Sequence, residues 1–120
     1  MFGTHLNQCP EFLAGDHTRL RELLHPGKAA LKIGYSLAHG LLDPGKQSLR
    51  HRLASSEVYY FIAGHGVMKV DDASMAVQAG SVIYVPPGAT QSLINTGTES
   101  IEFLCLVDPA WKAEDEAVLE

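Results

Sequence analysis

GKQSLRHRLASSEVYYFIAG, residues 45–64, is the stretch on which the reading of this chain turns. QSLRHRL alternates, with Leu49, His51 and Leu53 on one face and Ser48, Arg50 and Arg52 on the other. That period of two predicts a strand. A polar turn at Ala54, Ser55 and Ser56 leads into EVYYFIAG, where Glu57, Tyr59 and Phe61 share one face and Val58, Tyr60 and Ile62 the other. Both faces of this second strand are apolar, as expected of a strand covered on each side. The hairpin would bring the His51 imidazole and the Glu57 carboxylate together. Gly45 and Gly64 bracket it where turns need positive φ.

A second stretch, GSVIYVPPGATQSLIN at residues 80–95, reads as two strands interrupted by Pro86, Pro87 and Gly88, since proline cannot continue a ladder. Outward from these, LKIGYSLAHGLL is a strand closed by the turn Asp43, Pro44, Gly45. GHGVMKVDD and SMAVQAG form a hairpin about Asp71 and Asp72, and SIEFLCLVD ends the series. Roughly eight short strands spaced by about 8 to 12 residues are the pattern of a sandwich or barrel. Residues 31–108 are taken as the barrel of a single domain. Residues 1–30 read as an arm containing a short helix, because Leu20, Leu23 and Leu24 fall on one helical face; an extended edge strand is the competing reading. Residues 109–120 read as an acidic tail able to form a terminal helix.

The spacing of these stretches resembles the cupin superfamily. Its first motif is G-x5-H-x-H-x3-E-x6-G, and here Gly45, His51, Glu57 and Gly64 match while Leu53 replaces the second histidine. Its second motif is G-x5-P-x-G-x2-H-x3-N, and here Gly80, Pro86, Gly88 and Asn95 match while Gln91 replaces the histidine. The resemblance implies an all-β, antiparallel jelly-roll barrel with short N- and C-terminal extensions. It implies a pocket between the two motifs, RmlC-like and mannose-6-phosphate isomerase-like relatives, and a homodimer. It also implies a divalent metal, for which this chain offers only His51, Glu57 and the amide oxygen of Gln91. Leu53 cannot coordinate, and an oxygen-rich set shifts preference toward Mn, Fe(II), Mg or Ca; Mn, Fe, Ni and Zn are the ions to test. Tyr84 and His39 are candidate extra ligands, Tyr84 because alternation would turn it inward with Val82 and Pro86. Leu53, Tyr59, Phe61, Leu93 and Tyr35 are the expected pocket wall.

Three functions stay open: a metal-dependent isomerase, lyase or dioxygenase; a metal-free epimerase or isomerase with His51 as base and a tyrosine, Tyr84 or Tyr59, as acid; and a non-catalytic metabolite-binding module. In the metal-free and structural alternatives His51 and Glu57 pair directly, and Gln91 bonds to Glu57. No organic cofactor is expected. The formal net charge is −5 without a run of Lys or Arg, which argues against nucleic acid and anionic membranes as partners. No visible cationic pocket speaks for a sugar phosphate. Cys9 and Cys105 make no CxxC, and with no leader pattern at the N-terminus a reducing cytoplasm is expected. Ser55 and Ser56 lie in no nucleophile-elbow pattern.

Overall fold

A computed structural model describes residues 1–120. Eleven strands follow in order: β1 (Glu11–Leu13), β2 (Arg19–Leu24), β3 (Ser36–Leu42), β4 (His51–Leu53), β5 (Ser56–Ala63), β6 (His65–Val70), β7 (Ala73–Gln78), β8 (Val82–Val85), β9 (Gln91–Asn95), β10 (Ile101–Asp108) and β11 (Glu116–Val118). They form two antiparallel sheets, one ordered β1-β2-β3-β10-β5-β8 and the other β11-β4-β9-β6-β7. This is the antiparallel jelly-roll arrangement that the resemblance implied. No helix is long and apolar enough to cross a membrane.

Alternation decides what each strand buries. On β5, Glu57, Tyr59 and Phe61 are buried while Tyr60 and Ile62 are exposed. On β10, Ile101, Phe103, Cys105 and Val107 all turn inward. The inward faces of both sheets meet in one apolar cluster that includes Phe61, Met68, Val85, Leu93 and Phe103. Tyr59, Phe61 and Phe103 pack ring to ring, with centroids 5.4 to 6.0 Å apart. Gly64 joins β5 to β6 at φ +89°, and a Cβ there would stand 2.7 Å from the Ile101 Cα. Only glycine satisfies both constraints.

Two expectations at the chain ends are corrected. Arg19–Leu24 is a strand rather than a short helix. It pairs with β1 on one side and β3 on the other, and this ladder outweighs the weak helical stripe of three leucines. The tail forms no terminal helix. A single 3-10 turn, Ala113–Asp115, is followed by β11, which pairs with β4 from Glu116↔Leu53 to Val118↔His51. The unpaired edge of β4 captures the tail, because an extended partner satisfies its backbone groups.

Candidate functional site

β4 and β5 lie in different sheets, so the hairpin read from residues 45–64 spans the gap between them. His51 and Leu53 are both buried on β4, with Arg52 exposed between them. Glu57 and Tyr59 are buried on β5. Between the sheets lies a cavity of about 280 Å³, small for a ligand pocket. His51, Leu53, Glu57 and Tyr59 line it together with Ser36 and Ala38 of β3, Phe103, Cys105 and Val107 of β10, and residues of both chain ends.

His51 and Glu57 share this cavity without bonding to each other. His51 Nδ1 lies 3.0 Å from the Leu49 carbonyl oxygen, which can only accept, so Nδ1 carries a proton. The same nitrogen lies 3.6 Å from Oδ2 of Asp16. No hydrogen bond engages Nε2, and His51 lines the cavity. Glu57 is held instead by Gln91, whose Nε2 donates to Glu57 Oε1 at 2.9 Å. The other end of the amide accepts the Tyr59 hydroxyl proton, O to O 2.6 Å. Burial pushes the Glu57 carboxyl up to about 7; the Gln91 bond and the nearby His51 hold it lower than burial alone would. Burial likewise raises the Tyr59 hydroxyl and the Cys105 thiol. Cys105 is therefore no ready nucleophile.

The metal set implied by the motif is reduced here to His51, Glu57 and the Gln91 amide, which the β4–β9 pairing and the Gln91–Glu57 bond bring together. No group of three His, Cys, Asp or Glu side chains stands close enough to hold an ion. The amide oxygen of Gln91, required as a ligand, is already bonded to Tyr59. Leu53 fills the position of the missing histidine with apolar bulk. These residues fit a hydrogen-bonded chain better than a coordination sphere.

Four further expectations are corrected by geometry. Tyr84 is 62% exposed. Val85 stands opposite Glu57 in the β5–β8 ladder and faces inward with it, so Tyr84, opposite Val58, faces outward. Tyr84 is neither pocket wall, ligand nor acid. His39 points away from the cavity to meet Oε2 of Glu102 at 2.6 Å. The residues of β3 that line the cavity are Ser36 and Ala38, and Tyr35 lies outside the lining. Phe61 and Leu93 are buried in the apolar cluster beyond the cavity rather than on its wall. Of the expected wall, Leu53 and Tyr59 remain.

The chain ends supply what was missed. The turn between β1 and β2 places Asp16, 7% exposed, beside His51. Asp16 Oδ1 accepts from the Thr18 amide at 3.1 Å and hydroxyl at 2.7 Å, and His17 takes φ 75° between them. The Asp-x-Thr pattern signals such a turn, yet nothing in the sequence ties it to residue 51. The Asp16 carbonyl accepts from the Leu49 amide at 2.8 Å, which fastens this turn to the entry of β4. Glu116 of β11 comes in from the other terminus, and Trp111 and Phe12 join it in the lining. The alternation on β10, visible in IEFLCLVD, was the available signal for Phe103, Cys105 and Val107.

Comparison with known proteins matches residues 38–107 to the cupin domain family. An uncharacterized protein of Methanocaldococcus jannaschii is 31% identical over 118 residues, covering 98% of this chain and 94% of its own length. An oxalate-binding protein of Thermotoga maritima is 30% identical over 92 residues, covering 76% and 71%. Among solved structures, a Thermotoga maritima protein described as a predicted oxalate decarboxylase superposes with a TM-score of 0.79. It is 22% identical, and the match covers 90% of this chain and 99% of that one.

Proposed function

The chain belongs to the cupin domain family, and from that premise we propose that its cavity binds a small, partly apolar molecule on which His51 and Glu57 move a proton without a metal ion. One observation carries the reading: an imidazole with a free Nε2 and a carboxyl raised to about 7 open onto one small cavity, each fixed from behind. A carboxyl near 7 can give a proton at neutral pH, and an imidazole nitrogen can take one. Leu49 fixes the tautomer of His51, and Gln91 with Tyr59 fixes the carboxyl. The base remains His51; the acid becomes Glu57, since Tyr84 faces outward and the Tyr59 hydroxyl is committed to Gln91. Proton removal from one atom and return to its neighbour is the chemistry of an isomerase, and return to the same atom from the opposite face is that of an epimerase.

The ligands suggested by similarity fit less well. Oxalate and sugar phosphates are anions, and the lining of this cavity contains no Lys or Arg. Arg52 is exposed on the reverse face of β4. An anion would enter beside Asp16 and Glu116 with no Lys or Arg to offset it.

The test has two steps. Small neutral, cationic and anionic amphiphiles are screened by thermal shift on protein purified without a metal-binding tag. Those that stabilise it are then incubated in deuterated water and followed by NMR. The expected result is binding by several compounds and C–H exchange on at least one, with exchange lost in His51→Gln while binding persists. Exchange that survives His51→Gln would overturn the acid–base reading, as would a stoichiometric Mn, Fe, Ni or Zn ion in the purified protein.

A further inference from the structure

Resting on that assignment of the cavity, we infer that its ligand is a small amine with an apolar body, its ammonium group received by Asp16 and Glu116. Both carboxylates come from the chain ends and meet at one wall. A Cβ on Gly15 would stand 2.9 Å from Glu116 Oε1, so the Glu116 carboxylate lies against the residue preceding Asp16. The Glu116 carboxylate has no ion-pair or hydrogen-bond partner within the chain. Asp16 spends Oδ1 on Thr18, while Oδ2 receives no hydrogen bond and lies 3.6 Å from His51. These acids do not stand alone. His51, 4% exposed, also faces the cavity with an unpartnered Nε2.

The charge of the lining selects among ligands. It contains four carboxyl groups and one imidazole, with no Lys or Arg. Of the four, Glu22 pairs with Lys28 outside the cavity, and Asp16 has beside it only the His51 imidazole. A neutral ligand covering Asp16 and Glu116 would strip them of water and return little. An anion would be repelled at a few ångströms in a site of low dielectric. An ammonium would satisfy both carboxylates in a lining that also holds the aromatic rings of Phe12, Trp111 and Phe103, a residue type that attracts cations. The remaining wall, Leu20, Leu53 and Val107, is apolar and suits a hydrocarbon or aryl body. A volume of about 280 Å³ limits that body to a small one.

The experiment compares three probes of one shape, 2-phenylethylamine, 2-phenylethanol and phenylacetate, by calorimetric titration of the full chain at neutral pH. The amine should bind about tenfold or more tightly than the alcohol, a margin of about 1.4 kcal/mol, and phenylacetate should not bind measurably. Raising the salt concentration should weaken the amine selectively. Asp16→Asn and Glu116→Gln should each reduce the amine's advantage over the alcohol severalfold, and both substitutions keep the side-chain shape. An alcohol that binds as well as the amine, or a preference for phenylacetate, would overturn the amine assignment and leave the acid–base reading standing if His51-dependent exchange persists. Failure of all three to bind would overturn the amine assignment, and the absence of any ligand in the wider screen would remove the cavity reading with it.

Discussion

Gln91 of β9 donates through Nε2 to Oε1 of Glu57 on β5 at 2.9 Å, joining the two sheets across the floor of the cavity. Its oxygen takes the Tyr59 hydroxyl at 2.6 Å, so one amide satisfies a buried acid and a buried phenol together. An imidazole at this position would offer an ion one lone pair and leave Glu57 free to do the same. The amide instead ties the carboxyl into the protein.

Gln91→Leu should destabilise the fold by about 2–4 kcal/mol, because it leaves the Tyr59 hydroxyl and a Glu57 oxygen buried without partners. Gln91 is 1% exposed, so water cannot readily replace it. Urea denaturation measures the loss. A change within the fitting error would show that the amide is not holding the acid.

Glu57 should make stability depend on pH between about 4.5 and 7. Its carboxyl is raised from 4.5 to about 7 in the folded protein, chiefly by burial. Across that interval the folded state retains a proton that the unfolded chain has released. Its contribution is therefore fully present below about 4.5, falls as pH rises through 7, and is level above it. The fall is roughly 3 kcal/mol from this group. Glu57→Gln should flatten the profile and be the more stable protein at pH 8. Chemical denaturation at a series of pH values checks this, and parallel profiles for the two proteins would contradict it.

Leu53→His combined with Gln91→His should strengthen metal binding relative to the natural chain. Leu53 shares the inward face of β4 with His51, and the second substitution both supplies a ligand and releases Glu57. Added Ni or Zn should raise the melting temperature of the double variant in proportion to its affinity, with a smaller shift in the parent. Equal shifts in both proteins would mean that the parent already holds an ion.

Tyr84→Ser should leave ligand binding in the cavity unchanged, since Tyr84 is 62% exposed on the opposite face of its sheet. His39→Ala should cost stability, about 1–3 kcal/mol for the broken bond to Glu102, and likewise leave binding intact. Titration of any cavity ligand against both variants is the check. A loss of affinity in Tyr84→Ser would place the site on the outer face.

Much of this protein was determined by local sequence. Alternation in QSLRHRL and EVYYFIAG, bounded by glycines, put His51 and Glu57 on inward faces, because a pleated strand sends alternate side chains to opposite sides. The turn residues between short strands marked a sandwich or barrel, since they show where the chain must turn, and the resemblance to cupins narrowed this to a jelly roll. Tertiary structure decided the rest. The face of β8 that turns inward depends on its register with β5, and one position of slip moves Tyr84 from the cavity to the surface. The partner chosen by Gln91 depends on where a different sheet places Tyr59. Asp16 and Glu116 lie near opposite ends of the chain, and no local pattern brings them to His51. They meet there because the unpaired backbone of β3 and of β4 each required a neighbour, and the two termini supplied them.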